Sequence, residues 1–210
     1  ITPTEGGIEN DLYIQFGNPS VNESNHPRLG QSDWSLEISG AVTDSITIDY
    51  EQLIDAAETE GVLYLSTLRC VFDDPSTPLI GNGYWRGVPL SYFLSQAAPV
   101  EGARRLRFTG EDGFYSNLRI ERVVDNVIAS TPLQAAVLPV LLAYELNGSP
   151  IPSVHGGPVR LIVPGKFGYK NMKFPRLVEV TESDTAFGYY EEELFSGSAV
   201  TDQGDIPVSS

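Results

Sequence analysis

The chain is poor in the residue types that cross-link proteins or display positive charge. Its 210 residues include one cysteine, one methionine, two histidines and only three lysines. A single cysteine forms no internal disulfide, and without paired Cys or His at ligand spacing there is no structural zinc site. Lys and Arg number 13 against 28 Asp and Glu, for a formal charge of −15 and a pI near 4.4. A surface of that sign repels a phosphate backbone, which excludes nucleic acid as the expected partner. Long apolar runs are missing too. Residues 139–143 belong to one of the longest, 135–144, far short of the roughly 20 needed to cross a bilayer. The expectation is a soluble globular chain with no membrane span of its own. It starts Ile1-Thr2-Pro3 rather than with Met, which reads as a processed form and predicts an extracytoplasmic location.

What positive charge there is sits in one place. Lys166, Lys170 and Lys173 all fall within PGKFGYKNMK. Residues 146–178 contain no Asp or Glu over 33 positions, where chain-average spacing gives about four. Arg160 and Arg176 lie in the same window. One reading is a basic loop that balances an acidic chain; the other is a phosphate or pyrophosphate site.

Periodicity organises the rest. Residues 1–33 are polar, rich in Gly, Pro and Asn, and read as an arm laid over the surface. Trp34, Leu36 and Ile38 alternate with polar residues, a half-buried strand closed by Gly40. Asp49 is placed to cap a helix ending near Glu58, and residues 62–68 read as a strand running into Arg69-Cys70. Residues 71–87 hold two prolines and three glycines and read as a loop. Pro89 suits the first turn of a helix reaching Ala98, with Leu90, Phe93 and Leu94 on its apolar stripe. Strand-like runs follow at 104–109, 115–120, 140–146, 159–163 and 177–181. The predicted class is α+β, a single mixed, strand-rich domain over 34–182. Residues 183–210 form a tail that is acidic and then Gly/Ser-rich.

The order WSLEISGAV, STLRCVFDD, GYWRGVPLSYFL, GEDGFYSNL, LLAYELNGSPIP, HGGPVRLIVPG and FGYKNMKF resembles the molybdopterin-binding domain of the sulfite oxidase family. The match runs from about 34 to 181. LAYELNG followed by H-G-x-P-x-R-L-x-V-P-G and a lysine-bearing turn carries most of its specificity.

The resemblance implies a molybdenum-molybdopterin cofactor, with tungsten as the other metal of this chemistry. Cys70 stands where the family carries the protein thiolate ligand of the metal, and is the implied catalytic residue. A soft thiolate suits a metal otherwise held by dithiolene sulfurs. His155 and Arg160 occupy the H-G-x-P-x-R motif that binds the pterin and its phosphate, and Lys173 matches the lysine after the next turn. An Arg fork and a compact Lys charge both suit a buried dianion. Gly156 and Gly157 would let backbone approach the ligand closely, and the backbone at Asn171 and Met172 is implied to line the phosphate end. Asp112 is either an ordinary Asp-Gly turn residue or a contact of the pterin ring. Lys166 and Lys170 are either secondary phosphate partners or solvated loop charges.

The pattern also departs from sulfite-oxidising relatives. Their F-x-R-N-H element corresponds here to residues 13–17, with Gln15 in place of the arginine. Pro75 stands where they have an arginine five positions after the cysteine, and their active-site tyrosine aligns with Leu194 or Phe195. Asp73 and Asp74 would further repel an anion, leaving Arg69 or Arg86 as substitutes only if they point inward. The implied activity is therefore oxygen-atom transfer or related two-electron chemistry on a small substrate other than sulfite. No C-x-x-C-H haem motif is present, so the implied electron partner is a separate cytochrome or haem membrane subunit. The competing readings are a non-catalytic acidic subunit that keeps the fold, and a phosphate-ligand domain in which Cys70 is incidental.

Overall fold

The computed structural model describes residues 12–76, 78–124, 138–185 and 188–190. The chain folds as two five-stranded sheets with short helices between their strands. The first sheet contains β1 (Ser35–Gly40), β2 (Ile46–Asp49), β5 (Arg105–Gly110), β6 (Tyr115–Arg119) and β10 (Pro175–Thr181), in the order β2-β1-β10-β5-β6. Only the β1–β10 pairing is parallel. The second sheet runs β3 (Val62–Arg69), β4 (Ile80–Pro89), β7 (Leu141–Leu146) and β8 (Ser149–Pro150), with β9 (Arg160–Ile162) also pairing β7. This is the strand-dominated α+β domain that the periodicity predicts.

Local chemistry fixes the helices. In α1 (Tyr50–Glu60) an Asp49 carboxylate oxygen accepts from the Gln52 amide at 2.8 Å, and Gln52 Oε1 accepts from the Asp49 amide at 2.9 Å. This reciprocal box satisfies two otherwise orphaned donors. α2 (Leu90–Ala97) buries Leu90, Phe93, Leu94 and Ala97 and ends on a left-handed Ala98. A last short helix, α3 (Glu121–Val124), follows β6.

Two expectations are corrected. Residues 80–87 belong to a ten-residue strand, not to a loop. The glycines that signal turns in the sequence instead permit close sheet packing. A Cβ on Gly87 would lie 2.4 Å from the Leu142 carbonyl oxygen, and one on Gly83 would lie 2.6 Å from Leu146 Cδ1. The bulge between Arg86 and Gly87 belongs to the same close approach.

The other correction concerns the N-terminal arm, which packs into the domain as well as crossing it. Leu12 joins the core formed with Tyr64, Trp85 and Ile162, and Phe16 and His26 are buried. His26 stacks on Phe16 and Phe174, and its ring nitrogens meet the Glu23 carbonyl and the Ser153 hydroxyl. Apolar burial therefore recruits a segment whose sequence shows no period.

Gly87→Ala forces the added methyl against backbone, which has no rotamer by which to yield. Chemical denaturation should show a loss of about 1–3 kcal/mol, the usual range for overpacking; an unchanged midpoint would mean that β4 and β7 separate freely.

Candidate cofactor site

The end of β3 delivers Cys70 to a junction fixed by backbone bonds. Its amide donates to the Leu79 carbonyl at 2.9 Å, and its own carbonyl accepts from the Asp73 amide at 3.1 Å. The sulfur opens on a cleft whose walls include Tyr13, Gln15, Phe16, Arg160, Lys173 and Tyr190. Burial pushes the thiol pKa up and the Asp73 carboxylate adds to this, against the backbone N–H groups of Phe72 and Val71.

Across the cleft, the chain brings two cations together. Arg160 begins β9 and forms an isolated antiparallel bridge with Lys173, although 13 positions separate them in sequence. Arg160 donates to the carbonyls of Asn171 (3.2 Å) and His155 (2.9 Å), and Lys173 Nζ donates to the Val154 carbonyl. Among the described residues, both side chains thus donate to neutral backbone rather than to carboxylates. Lys173 Nζ also stands 4.0 Å over the Phe16 ring.

Crowded burial has a predictable electrostatic result. Burial and then the Arg160 charge lower the Lys173 pKa to about 6. Burial, Arg160 and Lys173 lower His155 to about 4, so its ring is neutral at physiological pH. Burial lowers Arg160 to about 10, which leaves it charged. His155 Nδ1 is buried with no hydrogen-bond partner among the described residues. Buried cations that hydrogen-bond no carboxylate, beside an unsatisfied ring nitrogen, are what a bound dianion would complete. No group of three His, Cys, Asp or Glu that could hold a metal occurs among the described residues. A metal at Cys70 would therefore need most of its ligands from a cofactor, as dithiolene sulfurs supply. On these grounds the residues present fit a phosphate-bearing pterin with a thiolate-bound metal.

The remaining expected site residues separate by role. Asn171 ties its own loop together: its Oδ1 accepts from the Val163 amide at 2.7 Å, and its Nδ2 donates to the carbonyls of Phe167 and Lys166. Met172 puts its side chain into the core and its carbonyl on the Leu161 amide. Neither lines the cleft. Asp112 is a turn residue, with Oδ1 accepting from the Phe114 amide at 3.1 Å beside a left-handed Gly113. Its carboxylate also acts on the Lys173 charge. Lys166 and Lys170 are buried rather than solvated, and Lys170 Nζ donates to the Asn117 carbonyl at 3.0 Å.

The space left by Gly156 and Gly157 is taken up inside the protein. A Cβ at Gly156, which has φ +101°, would meet Lys173 Cγ at 2.8 Å; one at Gly157 would meet the Ile151 carbonyl oxygen. Gly156 lets the His155 turn close on Lys173, and Gly157 lets it close on Ile151.

On the substrate side, Gln15 lines the cleft and Pro75 does not. Arg69 pairs with Asp73 at 3.0 Å and Arg86 with Glu145 at 2.8 Å, and neither reaches the cleft. Leu194 and Phe195 lie outside the described residues. Sequence reasoning missed Tyr13 and Tyr190, which supply phenols to the wall. Tyr190 packs 5.0 Å from Tyr169, and burial followed by the Cys70 charge pushes its pKa up to about 12. The available signal was the Tyr189-Tyr190 pair just beyond the last strand.

The profile of the oxidoreductase molybdopterin binding domain matches residues 23–190. The chain belongs to this family. Rat mitochondrial sulfite oxidase is 36% identical over 201 residues, covering 86% of this chain and 35% of that protein. The protein-methionine-sulfoxide reductase catalytic subunit MsrP of Xanthomonas campestris is 30% identical over 177 residues, covering 82% of this chain and 53% of its own length. An NADPH nitrate reductase of Fusarium oxysporum is 27% identical over 183 residues, 77% of this chain and 19% of that one. The chain thus spans about half, or less, of these relatives. The fold is shared with the sulfane dehydrogenase SoxCD of Paracoccus pantotrophus, at TM-score 0.64 and 23% identity over 76% of this chain and 41% of that one. The Arg160–Lys173 bridge lies within the matched span.

Three lysines make the lysine 13Cε spectrum simple enough to test the electrostatics. In cofactor-free protein the Lys173 resonance should titrate near pH 6. Added inorganic phosphate should move that midpoint upward, because a dianion favours the ammonium and draws in a proton. A midpoint that stays in the ordinary lysine range without phosphate would mean that the pocket admits water freely.

Proposed function

We propose that the chain is a molybdenum-cofactor-dependent oxidoreductase that performs oxygen-atom transfer on a small, uncharged substrate such as a sulfoxide, and exchanges electrons with a separate haem protein. Tungsten is the alternative metal, and an extracytoplasmic location fits the lysine-poor, acidic composition. No helix among the described residues is long and apolar enough to cross a membrane.

The observation that carries the reading is a cleft shared by Cys70 and the Arg160–Lys173 pair, with a wall of Tyr13, Gln15, Phe16 and Tyr190. Cys70 would ligate the metal. Arg160 and Lys173 would hold the terminal phosphate, and the neutral His155 ring would meet the pterin side through Nδ1. When bound, the cofactor supplies two-electron chemistry in which a sulfoxide, two electrons and two protons give a thioether and water. The wall itself favours a neutral, polarisable substrate: its cations are committed to the phosphate end, and Gln15 offers hydrogen bonds without charge. Tyr13 and Tyr190 keep their protons at neutral pH, because burial disfavours phenolate, so the wall they form carries no negative charge. The name of the MsrP relative, a methionine-sulfoxide reductase, agrees with this chemistry.

The test uses protein from a cofactor-competent host, assayed for metal and for released oxidised pterin. About one of each per chain is expected, with dye-coupled reduction of methionine sulfoxide and little oxidation of sulfite. Cys70→Ala should retain pterin while losing turnover by about a hundredfold or more; full activity in that variant would remove Cys70 from the chemistry. Gln15→Arg should shift preference toward anionic substrates by about tenfold, and no shift would place substrate elsewhere.

A further inference from the structure

The face of the β3–β4 hairpin that points away from the core is apolar where the rest of the exterior is acidic. Eight large hydrophobic side chains are exposed among the described residues, and five of them, Leu63, Leu65, Phe72, Ile80 and Tyr84, belong to this hairpin and its loop. Each is 39–52% exposed. The register groups three of them: Leu65 stands opposite Tyr84 with Leu63 two positions along on the same side, opposite Arg86, while Ile80, opposite Arg69, lies beyond the polar Thr67–Asn82 pair. Strand alternation explains how they come to share a side, since Tyr64, Leu68 and Trp85 take the inward positions. An isolated apolar residue at a surface needs no account, but a contiguous set on one sheet face marks an interaction surface.

The edge of the sheet adds to this. Within the described residues β3 pairs only with β4, and residues 62–68 contain no charge and no proline. Protected edges normally carry one or the other.

The surroundings select the partner. Glu60 precedes the hairpin, Asp73 and Asp74 lie in its loop, and Glu145 stands beside Arg86. The nearby guanidiniums of Arg69 and Arg86 are already paired to two of these carboxylates. A second copy of a chain carrying −15 would set like charges against one another. A partner with an apolar contact patch inside a basic rim meets both features.

Position connects the face to the cleft. Phe72, two residues past Cys70, has its ring 6.3 Å from that of Tyr190, which lines the cleft. We propose that the outward β3–β4 face is the docking surface for the protein electron partner, a haem protein with a basic rim, whose bound position abuts the Cys70 end of the cofactor cleft. The proposal rests on the redox reading above and assigns that reading a surface. Electron-transfer encounters are small, below about 1,200 Å2, which a single hairpin face can supply.

The probe is cytochrome c, a basic haem protein, titrated into the purified holoprotein at low ionic strength with binding followed by calorimetry. Leu65→Lys/Tyr84→Lys should raise Kd by about tenfold or more. Glu101→Lys makes the same two-unit charge change outside the hairpin and should have only a small effect. Dye-coupled turnover and melting temperature should be unchanged in both. If the double variant folds poorly, Leu63→Lys on the same face serves in its place. Equal weakening in the hairpin and Glu101 variants would reduce the effect to net charge and overturn the proposal, as would failure of the wild-type protein to bind cytochrome c. Loss of dye-coupled turnover with intact, hairpin-dependent binding would instead remove the redox reading and leave the docking face in place.

Discussion

The site is organised by two buried basic side chains held side by side with no carboxylate hydrogen-bonded to either among the described residues. Arg160 and Lys173 sit on opposite sides of an isolated bridge, and each donates to backbone carbonyls. Holding two positive charges in low dielectric is unfavourable unless an anion joins them or one gives up its proton. The depressed Lys173 and His155 pKa values are the protein's response when no anion is there. Much of the nearby architecture maintains the arrangement. Asn171 closes the loop from Val163, and the left-handed Gly156 makes room for the Lys173 stem. Phe16 offers Lys173 an aromatic face, and His26 stacks on Phe16 while reaching Ser153 at the start of the His155 turn. The described part of the N-terminal arm is thereby tied to the Arg160–Lys173 end of the cleft.

The charge distribution of the whole chain follows a similar division. With 28 acidic residues the exterior is strongly negative, yet Arg105, Arg122, Arg160, Lys166, Lys170 and Lys173 are all buried. Several of them donate to backbone carbonyls. Six of the thirteen basic side chains are thus buried, and two of these, Arg160 and Lys173, line the cleft, where a cofactor phosphate would gain from them. The Leu63, Leu65 and Tyr84 patch on the outward β3–β4 face interrupts that exterior, on the hairpin whose loop carries Cys70.

Most of the secondary structure was legible because its signals are local. The alternation at Trp34, Leu36 and Ile38, the Asp49 cap and the apolar stripe of α2 each depend on residues within a few positions of one another. The strand at 80–89 was not legible, because its glycines answer to Leu142 and Leu146 on β7, some 60 residues away, rather than to their own turn propensity. The same limit applies to the arm, where Leu12 and Phe16 are buried by partners distant in sequence.

By itself the sequence determined the family motif, the placing of all three lysines in one acid-free stretch, and a lone cysteine at the end of a strand. Each is a matter of residue identity and short spacing. Only the tertiary structure decided which of those residues meet. It set Arg160 against Lys173 and placed both on one cleft with Cys70, while sending Lys170 to Asn117 and Met172 into the core. It also committed Arg69 and Arg86 to acidic neighbours and brought Tyr13 and Tyr190 to the cleft from opposite ends of the described chain. The physical reason is that burial and charge pairing depend on distances through space, which the pairing of β7 with β4 and β9 sets and which no local pattern encodes.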